Sequence, residues 1–283
     1  MIYPEEKQTA EAVAQHYNSL DKYYRQLWGE HLHHGYWKYG TESVQQATEG
    51  LIELVAEAGK IDDTCNVLDI GCGYGATSRY LSKHKEAQLT ALPLSKSQWQ
   101  HARAHDPESS NPRYILGDFL RNDFSEGSFD VVFSIESSEH MVDKPKFFDE
   151  AMRLLKPGGR FVTCAWLAKH TPAKWEVKYL LEPICREGRL PSMGSEEDYQ
   201  KMMESSGLRE ITFQDISNKV KKTWAICAYR TTKAVIADRS LRRYLFDKDS
   251  TERVFAKTLF RIWTAYNTKS MRYGLFSARK EIT

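Results

Sequence analysis

Between residues 43 and 167 helical and strand patterns alternate without a break, and no other feature narrows the fold so far. The spacing predicts a helix over 43–59, the strand NVLDI (66–70), a helix over 75–83, the strand AQLTAL (87–92) and a helix over 95–104. The strands RYILGD (113–118) and FDVVFSI (129–135) come next, then a helix over 144–155, the turn KPGGR and the strand FVTCAWL (161–167). Short apolar runs separated by helices build βαβ units, so the expected fold is α/β, a doubly wound parallel sheet with helices on both faces.

After residue 167 the alternation stops. Residues 168–207 read as mainly helical, with a turn near RLPSMGS; a strand near EITFQDI, a second helical and aromatic-rich insertion over 219–268, and a last strand in MRYGLFSAR complete the chain. Insertions beyond the strand ends are where a doubly wound fold builds its substrate pocket. Ahead of the core, Ala10, Val13, Ala14, Tyr17, Leu20, Tyr24 and Leu27 recur at helical spacing, which gives a helix or helix pair one greasy face, read as packing. The expected division is an N-terminal helical lid (1–42), a binding core (43–167), and residues 168–283 holding the remaining strands and helical cap insertions, all within one overall domain.

Charge excludes several partners. The 40 basic and 38 acidic residues leave a net charge of +2, so nothing points to nucleic acid, and a small molecule is the default ligand. Five cysteines without a CxxC pair argue against a disulfide framework or a zinc site. No basic region followed by an apolar run opens the chain, and no stretch approaches the length of a membrane span. A cytoplasmic location is expected, with peripheral membrane contact left open.

The stretch VLDIGCGYGA places Asp69 at the end of a strand and Gly71 and Gly73 in the turn that follows. Glycines let backbone N–H groups approach a ligand at the start of a helix. With Ala76 they also satisfy the dinucleotide fingerprint, but the second strand ends in LTALPLS, with no acid to hold a ribose. Asp69 would repel a pyrophosphate and attract an ammonium group. S-adenosylmethionine carries such a group, together with a carboxylate for the turn's N–H groups.

GDFLRND places Asp118 and Phe119 after the third strand, IESSEHM closes the fourth, and LLKPGGRFV reads as helix, turn and strand. In this order these segments resemble the class I S-adenosylmethionine-dependent methyltransferases. WGEHLHHGYW, LSKSQWQHA, ESSEHMVDKPKFFDEAMRLLKPGG and MRYGLFSAR are similar to the gamma-tocopherol C-methyltransferases and their sterol C-methyltransferase kin. The resemblance implies a Rossmann-like, mostly parallel sheet with an antiparallel last strand. It also implies cofactor contacts at Asp69, Gly71, Gly73, Leu94, Ser95, Gln98, Asp118 and Phe119, and a hydrophobic acceptor methylated most readily at carbon. Pro93 departs from that pattern and removes one backbone donor near the ribose.

Methyl transfer from a sulfonium needs orientation and exclusion of water more than acid catalysis. Glu136 is expected to face the acceptor or the sulfonium, and His140 to act as general base. Trp28, His31, His33, His34 and Tyr36 are expected to form a lid over the reacting centre, with Trp166 at the acceptor and no metal site among them. Nitrogen or oxygen acceptors remain open, as does a protein that binds the cofactor without turnover.

Overall fold

The computed structural model describes residues 1–27, 29–106, 111–237 and 255–282. Seven strands form one sheet: β1 (Asn66–Ile70), β2 (Gln88–Leu92), β3 (Arg113–Tyr114), β4 (Phe129–Ile135), β5 (Leu155–Ala168), β6 (Arg209–Asp215) and β7 (Met271–Arg279). Their order is β3-β2-β1-β4-β5-β7-β6. β1 to β5 run parallel, while β7 lies antiparallel between β5 and β6.

Helices α1 (Ala10–Leu27), α2 (Val44–Gly59), α3 (Ala76–His84), α4 (Lys96–His105) and α5 (Lys144–Leu154) precede or link these strands. The cap region carries α6 (Lys174–Glu176), a π-helical turn (Val177–Leu181), α7 (Glu182–Glu187), α9 (Ser217–Val220), α10 (Lys222–Ala237) and α11 (Phe255–Asn267), while α8 (Glu196–Ser205) packs beside α5 on the other face of the sheet. Local signals set the ends. Ser43 and Gln46 form a capping box at α2, and the side chains of Ser95 and Asp143 accept from backbone N–H groups in the first turns of α4 and α5.

Strand alternation divides the core between the two faces of the sheet. Val67, Val131, Phe133 and Val162 pack with Leu51, Ile52 and Val55 of α2 and, farther on, with Ile184, Trp224 and Ile262 of the cap. Leu68, Val132 and Phe161 turn to the other face, against Phe147, Phe148, Tyr199 and Met203. Each large side chain buried there contributes about 1.5–3 kcal/mol. The cap is therefore an outgrowth of the first core.

Two local expectations differ from the structure. RYILGD pairs only at Arg113 and Tyr114, because the chain leaves the sheet to reach the Asp118 turn. KPGGR continues β5 instead of preceding it: the β4–β5 register shifts between Phe129 and Val131, while Gly158 and Gly159 exchange backbone hydrogen bonds with Lys280. Of the helix or helix pair expected ahead of the core, residues 10–27 form the single helix. Part of the second insertion, residues 238–254, and Trp28 lie outside the described residues. Among the described residues no helix is long and apolar enough to cross a membrane.

Candidate active site

The strand order reverses between β1 and β4, whose connections leave in opposite directions, so a crevice opens beyond their carboxyl ends. Gly71 and Ser137 pack against each other at its base. Ser137 Oγ donates to the Ile70 carbonyl at 2.6 Å, and Gly71 N donates to Leu92 O at 2.9 Å. With φ at +71°, Gly71 has no room for a side chain, since a Cβ would collide with Ser137. Gly75, at φ +78°, starts α3 as its N-cap, and a Cβ there would lie 2.6 Å from the Tyr114 ring. Gly75 was legible as the third glycine of GCGYG, although the dinucleotide spacing directs attention to Ala76.

Asp69, 2% exposed, accepts a 2.5 Å hydrogen bond from Ser78 Oγ. Burial raises its pKa to about 7, and the Ser78 bond only partly opposes that. Among the described residues no Lys or Arg forms an ion pair with it; a ligand ammonium beside this carboxylate would supply a counter-charge. The turn thus suits the methionine end of S-adenosylmethionine. Gly71, Gly73, Leu94 and Gln98 line the same cavity, whose volume is about 410 Å³. Ser95, Asp118 and Phe119 stand outside its lining: Ser95 donates to Asn18 Oδ1 of α1 at 2.7 Å, Asp118 caps Leu120 N at 2.9 Å, and Phe119 packs on Phe147.

His31, His33 and His34 all line the cavity, while Tyr36 lies behind the loop and bonds α2 through its backbone, Tyr36 N to Ala47 O at 2.7 Å. Burial lowers His31 to about 3, assisted by the charges of His33 and Arg79. It lowers His33 too, despite the opposing Glu136 charge. His33 Nδ1 donates to the His34 carbonyl at 2.8 Å, leaving Nε2 to accept from Thr77 Oγ1 at 3.2 Å.

Glu136 sits just beyond β4 at φ +54°, an uncommon conformation for a residue with a side chain. Its Oε1 accepts from His34 N at 2.7 Å, His34 Nδ1 at 2.9 Å and Tyr273 Oη at 2.7 Å; Oε2 accepts from Trp166 Nε1 at 3.0 Å. Burial alone would raise its pKa, but His34, His33 and these bonds bring it down to about 2. The carboxylate lines the cavity, yet Oε1 is committed to the loop and to β7, and Oε2 to Trp166 of β5. Trp166, Trp224, Tyr266 and Tyr273 surround the His34 ring, with centroids 4.9–6.0 Å away.

His140 also lines the cavity, in a short 3-10 turn after β4. The Arg189 carbonyl can only accept, so His140 Nδ1 donates to it, at 3.3 Å, and Nε2 accepts from Tyr17 Oη at 2.9 Å. Burial lowers His140 to about 4, so the ring is neutral at physiological pH. Neighbouring Glu139 also lines the cavity. Its carboxylate accepts from Trp166 N at 2.6 Å, and burial raises it to about 7. Tyr17 and Val13 of α1, read from the sequence as packing, line the cavity, as does Trp224 of α10. An apolar helical stripe has the same spacing whether it packs in a core or walls a pocket.

Residues 68–163 match the family model described as a methyltransferase domain. Over 235 residues the chain is 32% identical to the chloroplastic tocopherol O-methyltransferase of Arabidopsis thaliana, a match covering 75% of this chain and 67% of that protein. It is 28% identical to the 27-O-demethylrifamycin SV methyltransferase of Amycolatopsis mediterranei, covering 97% and 98% of the two chains. Its fold matches mycolic acid cyclopropane synthase CmaA1, solved with SAH and CTAB, at a TM-score of 0.85 and 20% identity over 98% of this chain and all of that one. With a relative this similar, and with the Asp69 turn and doubly wound sheet in place, the chain belongs to the class I S-adenosylmethionine-dependent methyltransferases, in the group that includes the tocopherol and sterol enzymes.

Proposed function

We propose that this methyltransferase acts on a hydrophobic small molecule, an aromatic, prenylated or isoprenoid compound, and that a carbon atom receives the methyl group. The observation that carries the reading is the pairing of a largely apolar chamber with a neutral imidazole, His140, that accepts from the Tyr17 hydroxyl. Val13, Met141, Ile184, Leu190, Leu259 and Ile262, with Trp166 and Trp224, supply the apolar surface, and the Tyr17–His140 pair supplies the base.

When bound, S-adenosylmethionine supplies an electrophilic methyl whose sulfur leaving group needs no acid. Asp69 and the glycine turn hold the cofactor's methionine end. The loop pinned by Glu136 and the α1 wall keep bulk water from the acceptor. As a ring carbon bonds to the methyl, positive charge develops on the acceptor, and the Trp166 and Trp224 faces stabilise it. The ring proton then passes to Tyr17 Oη while the Tyr17 proton moves to His140 Nε2. Glu136 acts here as a positioning residue.

An oxygen acceptor is the second reading, favoured by the name of the Arabidopsis relative; the same pair would then take a hydroxyl proton. Incubation with methyl-labelled cofactor and a panel of prenylated phenols, indoles and isoprenoids tests both. A new carbon-bound methyl resonance in the product supports the first reading, and an O-methyl resonance the second. Methylation confined to polar acceptors would overturn the hydrophobic assignment.

A further inference from the structure

We propose that Glu30, His101 and His105 form a binding site for a divalent transition-metal cation at the mouth of the cavity, and that its occupancy clamps the entrance loop onto α4. Glu30 belongs to that loop, residues 29–42, and lines the cavity. His101 and His105 lie one turn apart on α4, the helix whose first turn places Gln98 in the site.

His101 Nε2 is 3.3 Å and His105 Nε2 3.8 Å from Glu30 Oε1, and one ligand atom from each residue falls within 4.8 Å of the others. Two ligands on one tetrahedral zinc ion stand roughly 3.4 Å apart, so a small inward rotation closes this triangle around a cation. The His105 tautomer is already set. Its Nδ1 lies 3.0 Å from the His101 carbonyl, which can only accept, so Nδ1 carries the proton and Nε2 presents a lone pair toward Glu30.

The electrostatics leave room for the ion. Arg79 Nη2 takes the other Glu30 oxygen, Oε2, at 2.9 Å, and Asp106, 3.6 Å from Arg79 Nη1, offsets the guanidinium. Two imidazoles with a carboxylate favour zinc, nickel or copper over magnesium or calcium, and coordination would displace the proton from His101 Nε2. WGEHLHHGYW had offered histidines and one acid without a ligand spacing. The missing partners are the i, i+4 pair in QHARAH, which only the fold brings to Glu30.

Zinc titration of the full chain against a chromophoric chelator, with wild type, His101→Asn and His105→Asn, tests the site. One equivalent should bind wild type tightly and each variant at least about tenfold more weakly. Zinc should also slow S-adenosylhomocysteine release, followed by tryptophan fluorescence, by about fivefold or more in wild type and not in His105→Asn. Binding that is absent, or equal in all three proteins, overturns the site. Binding that leaves the release rate unchanged overturns the clamp.

Discussion

The cofactor half and the acceptor half of the cavity are encoded in opposite ways. Asp69, Gly71, Gly73, Gly75 and Ser78 fall within ten consecutive residues, and Asp69 and Ser78, nine positions apart, bond each other. Across the cavity the pairs are remote: Tyr17 with His140 is separated by 123 positions, His34 with Glu136 by 102, and Tyr273 with Glu136 by 137. A site built from one turn is hard to alter without losing the ligand. A site assembled from four distant segments can change its acceptor while the sheet beneath it stays fixed.

The sharpest way to break this contrast is at Glu136, where the acceptor half is held together. Glu136→Ala leaves His34, Trp166 and Tyr273 facing a void and should cost about 3–5 kcal/mol of stability, read by denaturant unfolding. Unchanged stability would mean that the loop is held by other contacts. Next in size, Tyr17→Phe and His140→Ala should each lower kcat about a hundredfold, with cofactor affinity unaltered. A change in cofactor affinity instead would place the pair in the other half.

The pH dependence sharpens the comparison further. Asp69 titrates near 7 in the free protein because it is buried, while a bound ammonium requires it ionised. S-adenosylmethionine affinity should therefore rise with pH, by at most about tenfold per unit between pH 5.5 and 7, and level off above. In the absence of ligand the sign is reversed for stability. Burial of Asp69 favours its protonated form, so its contribution falls as pH rises from the unfolded carboxylate range toward 7. His140, lowered to about 4, should give kcat no inflection between pH 5.5 and 8 at saturating cofactor. The smallest effect is expected at Gly75→Ala, about 1–2 kcal/mol of stability from the left-handed backbone and the Tyr114 contact.

What the sequence disclosed follows the same division. β1 and β7 fall on NVLDI and MRYGLFSAR residue for residue, because strand alternation and turn glycines are local signals. The β3 run was too long and KPGGR was placed outside the strand, since sheet pairing with distant partners decides both. For the acceptor half, IESSEHM disclosed the acids and the histidine but not their division of labour. That depends on which donors from loop 29–42, β5 and β7 reach Glu136, and on Tyr17 reaching His140 from α1.

Calorimetric titration of S-adenosylmethionine into wild type, Asp69→Asn and His140→Ala tests the division most directly. The account predicts binding to wild type and His140→Ala with equal affinity, and a loss of about a hundredfold or more in Asp69→Asn, where the ammonium loses its counter-charge. Equal binding by Asp69→Asn and wild type would contradict it, because the turn would then not be what holds the cofactor.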